Sequence, residues 1–197
     1  MSFHGHFTTP LCEPAGREAG RGMKALCLTI FFLLTAVNLI ARPGEYEVKA
    51  AFLFNFARFV EWPATAFVSK SDPIVIGIVG DDPFGDALLQ IAKEQTAQGR
   101  KIEIRYYKAD EDCSASHLLF LSRSVAAQTE EILQRLQGRP ILTVSEKEGF
   151  VRQGGVIEFA LVEKTVRFDI NAAIAKRVGL TVSSKLLAVA RSVINSL

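Results

Sequence analysis

Apolar and polar positions change rhythm several times along this chain, and each change predicts an element. Residues 45–62 contain neither Gly nor Pro, and Tyr46, Ala50, Leu53, Ala57 and Val60 recur at helical spacing, so they form the core face of a helix. Val48, Phe52 and Phe59 give this helix a second apolar side, which means it is sandwiched or lies at an interface. The third side is polar: at about 100° per residue, Asn55, Arg58, Glu61 and Trp62 fall together. Pro63 ends the helix, because the residue before proline avoids helical dihedrals.

The pattern then turns to continuous apolar runs separated by helices. Residues 74–79 read as a buried strand, closed by Gly80-Asp81-Asp82-Pro83. A helix is predicted over 84–94, with Asp82 as its N-cap and Pro83 in its first position. Residues 101–107 alternate as a strand, 110–116 form a polar loop, and 117–121 form a second buried strand. A helix over 124–137 stops at Gly138, and 141–144 is a third buried strand. After Gly154-Gly155, strands 156–161 and 165–170 make a hairpin, followed by helices at 172–178 and 183–194. The expected fold is α/β: a mostly parallel sheet covered by helices on both faces, with a C-terminal antiparallel β-hairpin at its edge and terminal helices.

The front of the chain sets the compartment. Arg21 and Lys24 precede an apolar run over 25–41 that ends on the small residue Ala41, the three-part pattern of a secretory signal. A retained membrane anchor is the alternative, and Leu39, three positions before the cut, favours it; the shortness of the run and its Asn38 speak against it. Residues 1–22 are polar and aperiodic, so they are a disordered leader, or Met23 is the true start. The expected organisation is thus a leader (1–22), a signal peptide (23–41) and one exported α/β domain (42–197).

Charge is nearly balanced, 23 basic against 21 acidic residues, with no basic stripe carrying interleaved aromatics, so nucleic acid is not an expected partner. Cys12 and Cys27 fall in the removed part. Cys113 is left as a buried inert sulfur, a redox-sensitive thiol or half of an intermolecular disulfide.

In open α/β sheets ligands bind beyond the carboxyl ends of the strands, here at Gly80, Asp81, Asp82, Phe84 and Gly85, and at Ser122, Arg123, Ser145 and Glu146. Asp81-Asp82 could bind a cation or simply cap a helix in a solvated turn. The turn is not a phosphate loop, because it lacks the Gly-Lys-Ser/Thr ending and carries acids. His117 and Cys113 cannot complete a structural zinc site, no Gly-x-Ser-x-Gly elbow occurs, and His117 reads as structural; no cofactor is expected. Arg58, Glu61 and Trp62 could form a binding hot spot, or Arg58 could pair with Glu61 while Trp62 packs under a loop. Arg167 and Asp169 could pair, with Asn171 capping the next helix. Arg58, Arg167 and Lys185 could instead converge on an anionic or amino-acid ligand.

Several runs resemble the YfiR family of bacterial periplasmic proteins. They are Glu45 through Phe56, Phe59-Val60-Glu61-Trp62-Pro63, Gly80-Asp81-Asp82-Pro83-Phe84-Gly85 and Cys113 through Phe120. Ile141 through Ser145, Gly154-Gly155-Val156-Ile157, Val166-Arg167-Phe168-Asp169-Ile170-Asn171 and Leu180 through Ala190 complete the set. The resemblance implies an α/β periplasmic domain without enzymatic activity. It further implies a negative regulator that represses an inner-membrane diguanylate cyclase (YfiN-like), and so controls cyclic-di-GMP and biofilm formation, with an outer-membrane lipoprotein as a sequestering partner. Homodimers with disulfides are also implied, although Cys113 has no mature partner for an internal bond. A small-ligand-binding periplasmic sensor is the alternative function.

Overall fold

Period-two alternation in the central strands buries both faces of the sheet, and this decides the architecture. The structure, a computed structural model, describes Met1 and residues 44–195. The proposed leader and signal peptide lie outside the described residues. Along β2 (Ile74–Val79) and β5 (Leu118–Leu121) every residue except Gly77 is buried and apolar. Ile74, Ile76, Ile78, Leu118 and Phe120 point into one core, while Val79, Leu119 and Leu121 point into the other. Such runs belong to strands covered on both sides.

The other strands are β1 (Val60–Glu61), β3 (Thr96–Ala97), β4 (Arg100–Tyr107), β6 (Leu142–Ser145), β7 (Ile157–Val162), β8 (Thr165–Asn171), β9 (Thr181–Val182) and β10 (Ser192–Ile194). Together with β2 and β5, all of these but β1 and β9 form one eight-stranded sheet in the order β10-β8-β7-β6-β5-β2-β4-β3. Pairing is parallel except in the β7–β8 hairpin and at the short β3–β4 edge. The expected α/β fold with its mostly parallel sheet and C-terminal hairpin is therefore present.

The helices are α1 (Glu45–Phe59), α2 (Asp86–Glu94), α3 (Thr129–Arg135), α4 (Ala172–Arg177) and α5 (Ser184–Val189). The larger core holds Leu53 and Phe56 of α1, Leu88 of α2 and Leu186 of α5; the smaller holds Ile132 of α3. Helix α1 touches α2, α5, β3 and β8, so it is sandwiched as its two apolar sides require. Its second side packs Phe52 edge-to-face against Phe168 at 5.3 Å and tilted against Phe159 at 6.1 Å.

Four expectations are corrected. Helix α1 stops at Phe59, and Val60–Glu61 pairs antiparallel with β9. Helix α2 starts at Asp86 behind Gly85, whose φ of 52° favours glycine; the Asp82 carboxylate instead accepts from the Phe84 N–H at 2.8 Å, closing the turn before the helix. The 124–137 helix is a 3-10 segment over Arg123–Gln128 with a break at Val125, followed by α3. Finally, 183–194 is not one helix: α5 ends at Val189, and β10 pairs parallel with Asp169–Asn171, so β10 rather than the hairpin is the edge.

Gly155 has a steric cause. A Cβ there would sit 2.1 Å from the buried Phe150 ring, so only glycine lets the chain pass it into β7. Among the described residues, no helix is long and apolar enough to cross a membrane.

Candidate functional site

The carboxyl ends of β5 and β6 lie beside the first turn of α1, and a buried charge network occupies the join. Lys49 is 2% exposed, although it sits among the core positions of α1. Its ammonium lies 2.5 Å from the carboxylates of Glu45 and Glu146. Tyr46 donates its hydroxyl to Glu146 Oε1 at 3.1 Å, and Arg123 Nε stands 3.1 Å from the same oxygen, while Lys49 faces Oε2. Burial and the facing Glu146 charge push the Tyr46 phenol up. Glu146 thus meets two cations and a hydroxyl, the compensation that a buried carboxylate requires. Nearby, Ser145 donates to the Leu121 carbonyl at 2.9 Å, and Ser122 and Ser124 share a hydrogen bond at 2.8 Å. Behind the exposed Asp81 and Asp82, the join between α1 and the sheet is closed by Lys49, Glu45 and Glu146, whose charges are spent on one another.

The residues expected on the polar side of α1 separate. Asn55 is half-buried, and Arg58 and Glu61 are exposed. The guanidinium of Arg58 lies over Phe54 and Phe59, at 5.6 and 5.4 Å from their centroids, and is not in an ion pair with Glu61. Trp62 departs from that surface. Because the chain becomes a strand at Val60, period two turns Val60 and Trp62 inward and leaves Glu61 outside. The Trp62 indole N–H donates to the His117 carbonyl at 3.0 Å. Gln98 donates to the carbonyls of Ala57 and Val60, at 2.9 and 2.6 Å, and so closes the end of α1.

Phe84 is also a core residue, edge-to-face with Phe120 at 4.8 Å, while Asp82 stays exposed. Arg167 and Lys185 are exposed on β8 and α5. The partner of Asp169 is Arg191, whose Nε donates at 2.8 Å, and not Arg167. Asn171 caps α4 by accepting from the Ile174 N–H at 2.9 Å, as its position before the helix implies. Neither of the two clefts described below is lined by Arg58, Arg167 or Lys185.

His117 is fully engaged. Its Nδ1 accepts from the Val75 N–H at 3.1 Å, which leaves Nε2 to donate to the Ala66 carbonyl at 3.1 Å. Phe67 stacks on the ring at 4.5 Å, and burial holds the imidazole below its ordinary pKa, so it is neutral. Arg100 caps this stack 3.7 Å above Phe67 and donates to the Asp72 carbonyl. Cys113 is buried, and burial pushes its thiol up, away from the reactive thiolate. Among the described residues, no three His, Cys, Asp or Glu side chains converge on a metal position, and no buried side-chain N or O lacks a hydrogen-bond partner.

Open space lies at the opposite end of the sheet. The β6–β7 ladder comprises only the pairs Val144↔Ile157 and Ser145↔Glu158. Towards the amino ends the ladder has run out, and a cleft of about 360 Å³ lies there between α3 and α4, lined by Leu136, Ile141, Val156, Ile174, Arg139 and Arg177 among others. A smaller recess of about 220 Å³ shares Arg139 and Ile141 and reaches His117. The sequence pointed to the carboxyl ends, and neither cleft is there.

No curated protein matches the chain. A family model described as YfiR/HmsC-like matches residues 46–191, from the first turn of α1 to the residue before β10, and so takes in both the sealed end and the clefts. That family is known for periplasmic regulators of diguanylate cyclases and is generally regulatory. By this match over most of its length, the chain belongs to the YfiR/HmsC-like family.

Proposed function

We propose that this protein is an exported, non-catalytic regulator that binds an inner-membrane diguanylate cyclase and represses it from the periplasm, lowering cyclic-di-GMP and biofilm formation. The family match over 46–191 carries the reading. The secretory pattern before residue 42 agrees with it. So does the engagement of His117 and Cys113 in the core, which leaves them structural. An outer-membrane lipoprotein that sequesters the regulator would relieve repression, and the regulator would act as a homodimer. The docking face is assigned to Asn55, Arg58 and Glu61, where an arginine flanked by Phe54 and Phe59 joins directed hydrogen bonding to apolar area. Asp82, Arg167 and Lys185 supply further exposed charge.

The test is cyclic-di-GMP measured in cells that lack the gene and carry it back in variant form. Deletion raises the nucleotide, wild type restores it, and a folded Arg58→Ala/Glu61→Ala protein fails to do so. Unchanged cyclic-di-GMP on deletion overturns the repressor reading, and full restoration by the double variant overturns the docking face.

The second reading, a small-ligand sensor, is favoured by one observation: the cleft of about 360 Å³ at the amino ends of β6 and β7. Its size lies near the lower end of the range for ligand sites, about 300–1,000 Å³.

A further inference from the structure

We infer that the cleft between α3 and α4 binds a small amphipathic monoanion, a carboxylate on a branched or linear aliphatic body. The inference rests on the sensor reading for its purpose and needs no cyclase. The interior is aliphatic: Leu136, Ile141, Val156 and Ile174 are buried side chains that line it. Arg139 and Arg177 line the same cleft, and no carboxylate does. Among the described residues Arg139 and Arg177 are in no ion pair, nor are Arg58, Arg100, Arg135, Arg152 and Arg167, and of these seven Arg139 and Arg177 line this cleft. The Asp112 carboxylate, which Arg139 influences, lies outside its lining. Two unpaired guanidiniums beside an apolar hollow are complementary to an anionic head on an apolar tail, and the guanidinium fork matches carboxylate geometry.

The charge of the head follows from the helices. Leu136, Gln137 and Gly138 end α3, and Arg177 and Val178 end α4, so both helices present their carbonyl ends to the cleft. Those ends carry partial negative charge, which opposes every anion, but a dianion such as a phosphomonoester about twice as strongly as a monoanion. A single negative charge held by the two arginines fits better. The aliphatic lining, with no aromatic side chain in it, points to an aliphatic body.

A purely structural account of the arginines also exists: cations near helix carboxyl ends stabilise them. The experiment separates the two. The probes are 4-methylpentanoate, its neutral amide and isopentyl phosphate, titrated at millimolar concentrations into the full mature domain at low salt. Binding is read by calorimetry and by the amide shifts of Ile141, Gly154 and Val178. The carboxylate is expected to bind and shift those amides, the amide and the phosphate to bind at least about tenfold more weakly, and Arg139→Gln and Arg177→Gln each to weaken the carboxylate about tenfold. Ile141→Trp, which fills the cleft, removes binding while leaving both arginines in place. Carboxylate binding without cyclase repression leaves this inference standing and removes the repressor. No carboxylate binding, equal binding of the amide, tighter binding of the phosphate, or arginine variants that lose stability without losing affinity each overturn it.

Discussion

The two ends of the parallel strands solve opposite problems. At the carboxyl end the structure buries charge and cancels it: buried Lys49 meets buried Glu146, exposed Arg123 reaches the same carboxylate from outside, and Tyr46 completes its hydrogen bonding. At the amino end it keeps charge outside and buries neutral groups: His117 is held as a neutral ring between Phe67 and Trp62, while Arg139 stays exposed beside the cleft. The usual ligand position in open α/β sheets is the first of these. Here α1 closes it, and the space is at the other end because the β6–β7 ladder is short. Paired buried charge fixes one arrangement; unpaired exposed charge leaves a surface free to respond.

The largest effects come from opening either end. Glu146→Ala leaves buried Lys49 with Glu45 alone and strips Arg123 and Tyr46 of their shared acceptor, and should cost about 3 kcal/mol by chemical denaturation. Lys49→Met/Glu146→Leu should recover most of that loss, since apolar replacement of a whole buried pair is often neutral. A double variant as unstable as Glu146→Ala would mean that the network does more than join α1 to the sheet. At the other end, Trp62→Ala removes a buried ring and its bond to the His117 carbonyl, and should cost about 3–5 kcal/mol. Loss of partner binding in that variant would therefore report unfolding before it reported docking.

A smaller effect tests the neutral ring. Burial holds the folded-state pKa of His117 below its ordinary value of 6.5. The unfolded chain then binds more protons in the window between the two values, so this contribution is present above pH 6.5 and is lost as pH falls below it. Melting temperature should decline from pH 7 towards pH 5, and the decline should be shallower in His117→Gln. An equal slope in both proteins would place the acid sensitivity elsewhere.

Legibility in the sequence followed periodicity. Strands β2, β5 and β6 and helix α1 were readable because long apolar runs and unbroken 3.6-residue spacing leave few alternatives. Strands β1, β9 and β10 are two or three residues long and carry no usable period; they exist because neighbouring backbone pairs with them. Trp62 lies inside rather than on the polar side of α1 because helical spacing ends at Phe59, where the chain changes to period two. Lys49 left a visible signal, a lysine between core positions Tyr46, Ala50 and Leu53, which asks for a buried partner. That Glu146, 97 residues away, supplies it is a tertiary fact that no local pattern contains. The amino-end cleft was unreadable for the same reason, because its lining comes from α3, β6 and α4 at once.

The smallest expected effect sharpens the comparison most. If the carboxyl end is a structural join and the amino end a responsive surface, then charge should matter to stability at one and hardly at the other. Arg139 and Arg177 are exposed and in no ion pair among the described residues, so Arg139→Gln/Arg177→Gln should change unfolding free energy by no more than about 1 kcal/mol in the absence of any ligand, the share that cations near helix carboxyl ends contribute. Glu146→Gln, a change of the same chemical size, removes a charge that two cations face and should cost several times more. The contrast should persist in salt, since exposed charges are screened within about 10 Å at 0.1 M while buried pairs are screened far less. Similar losses from the two changes would show that the arginines also brace the fold, and the division between a sealed end and a free one would no longer hold.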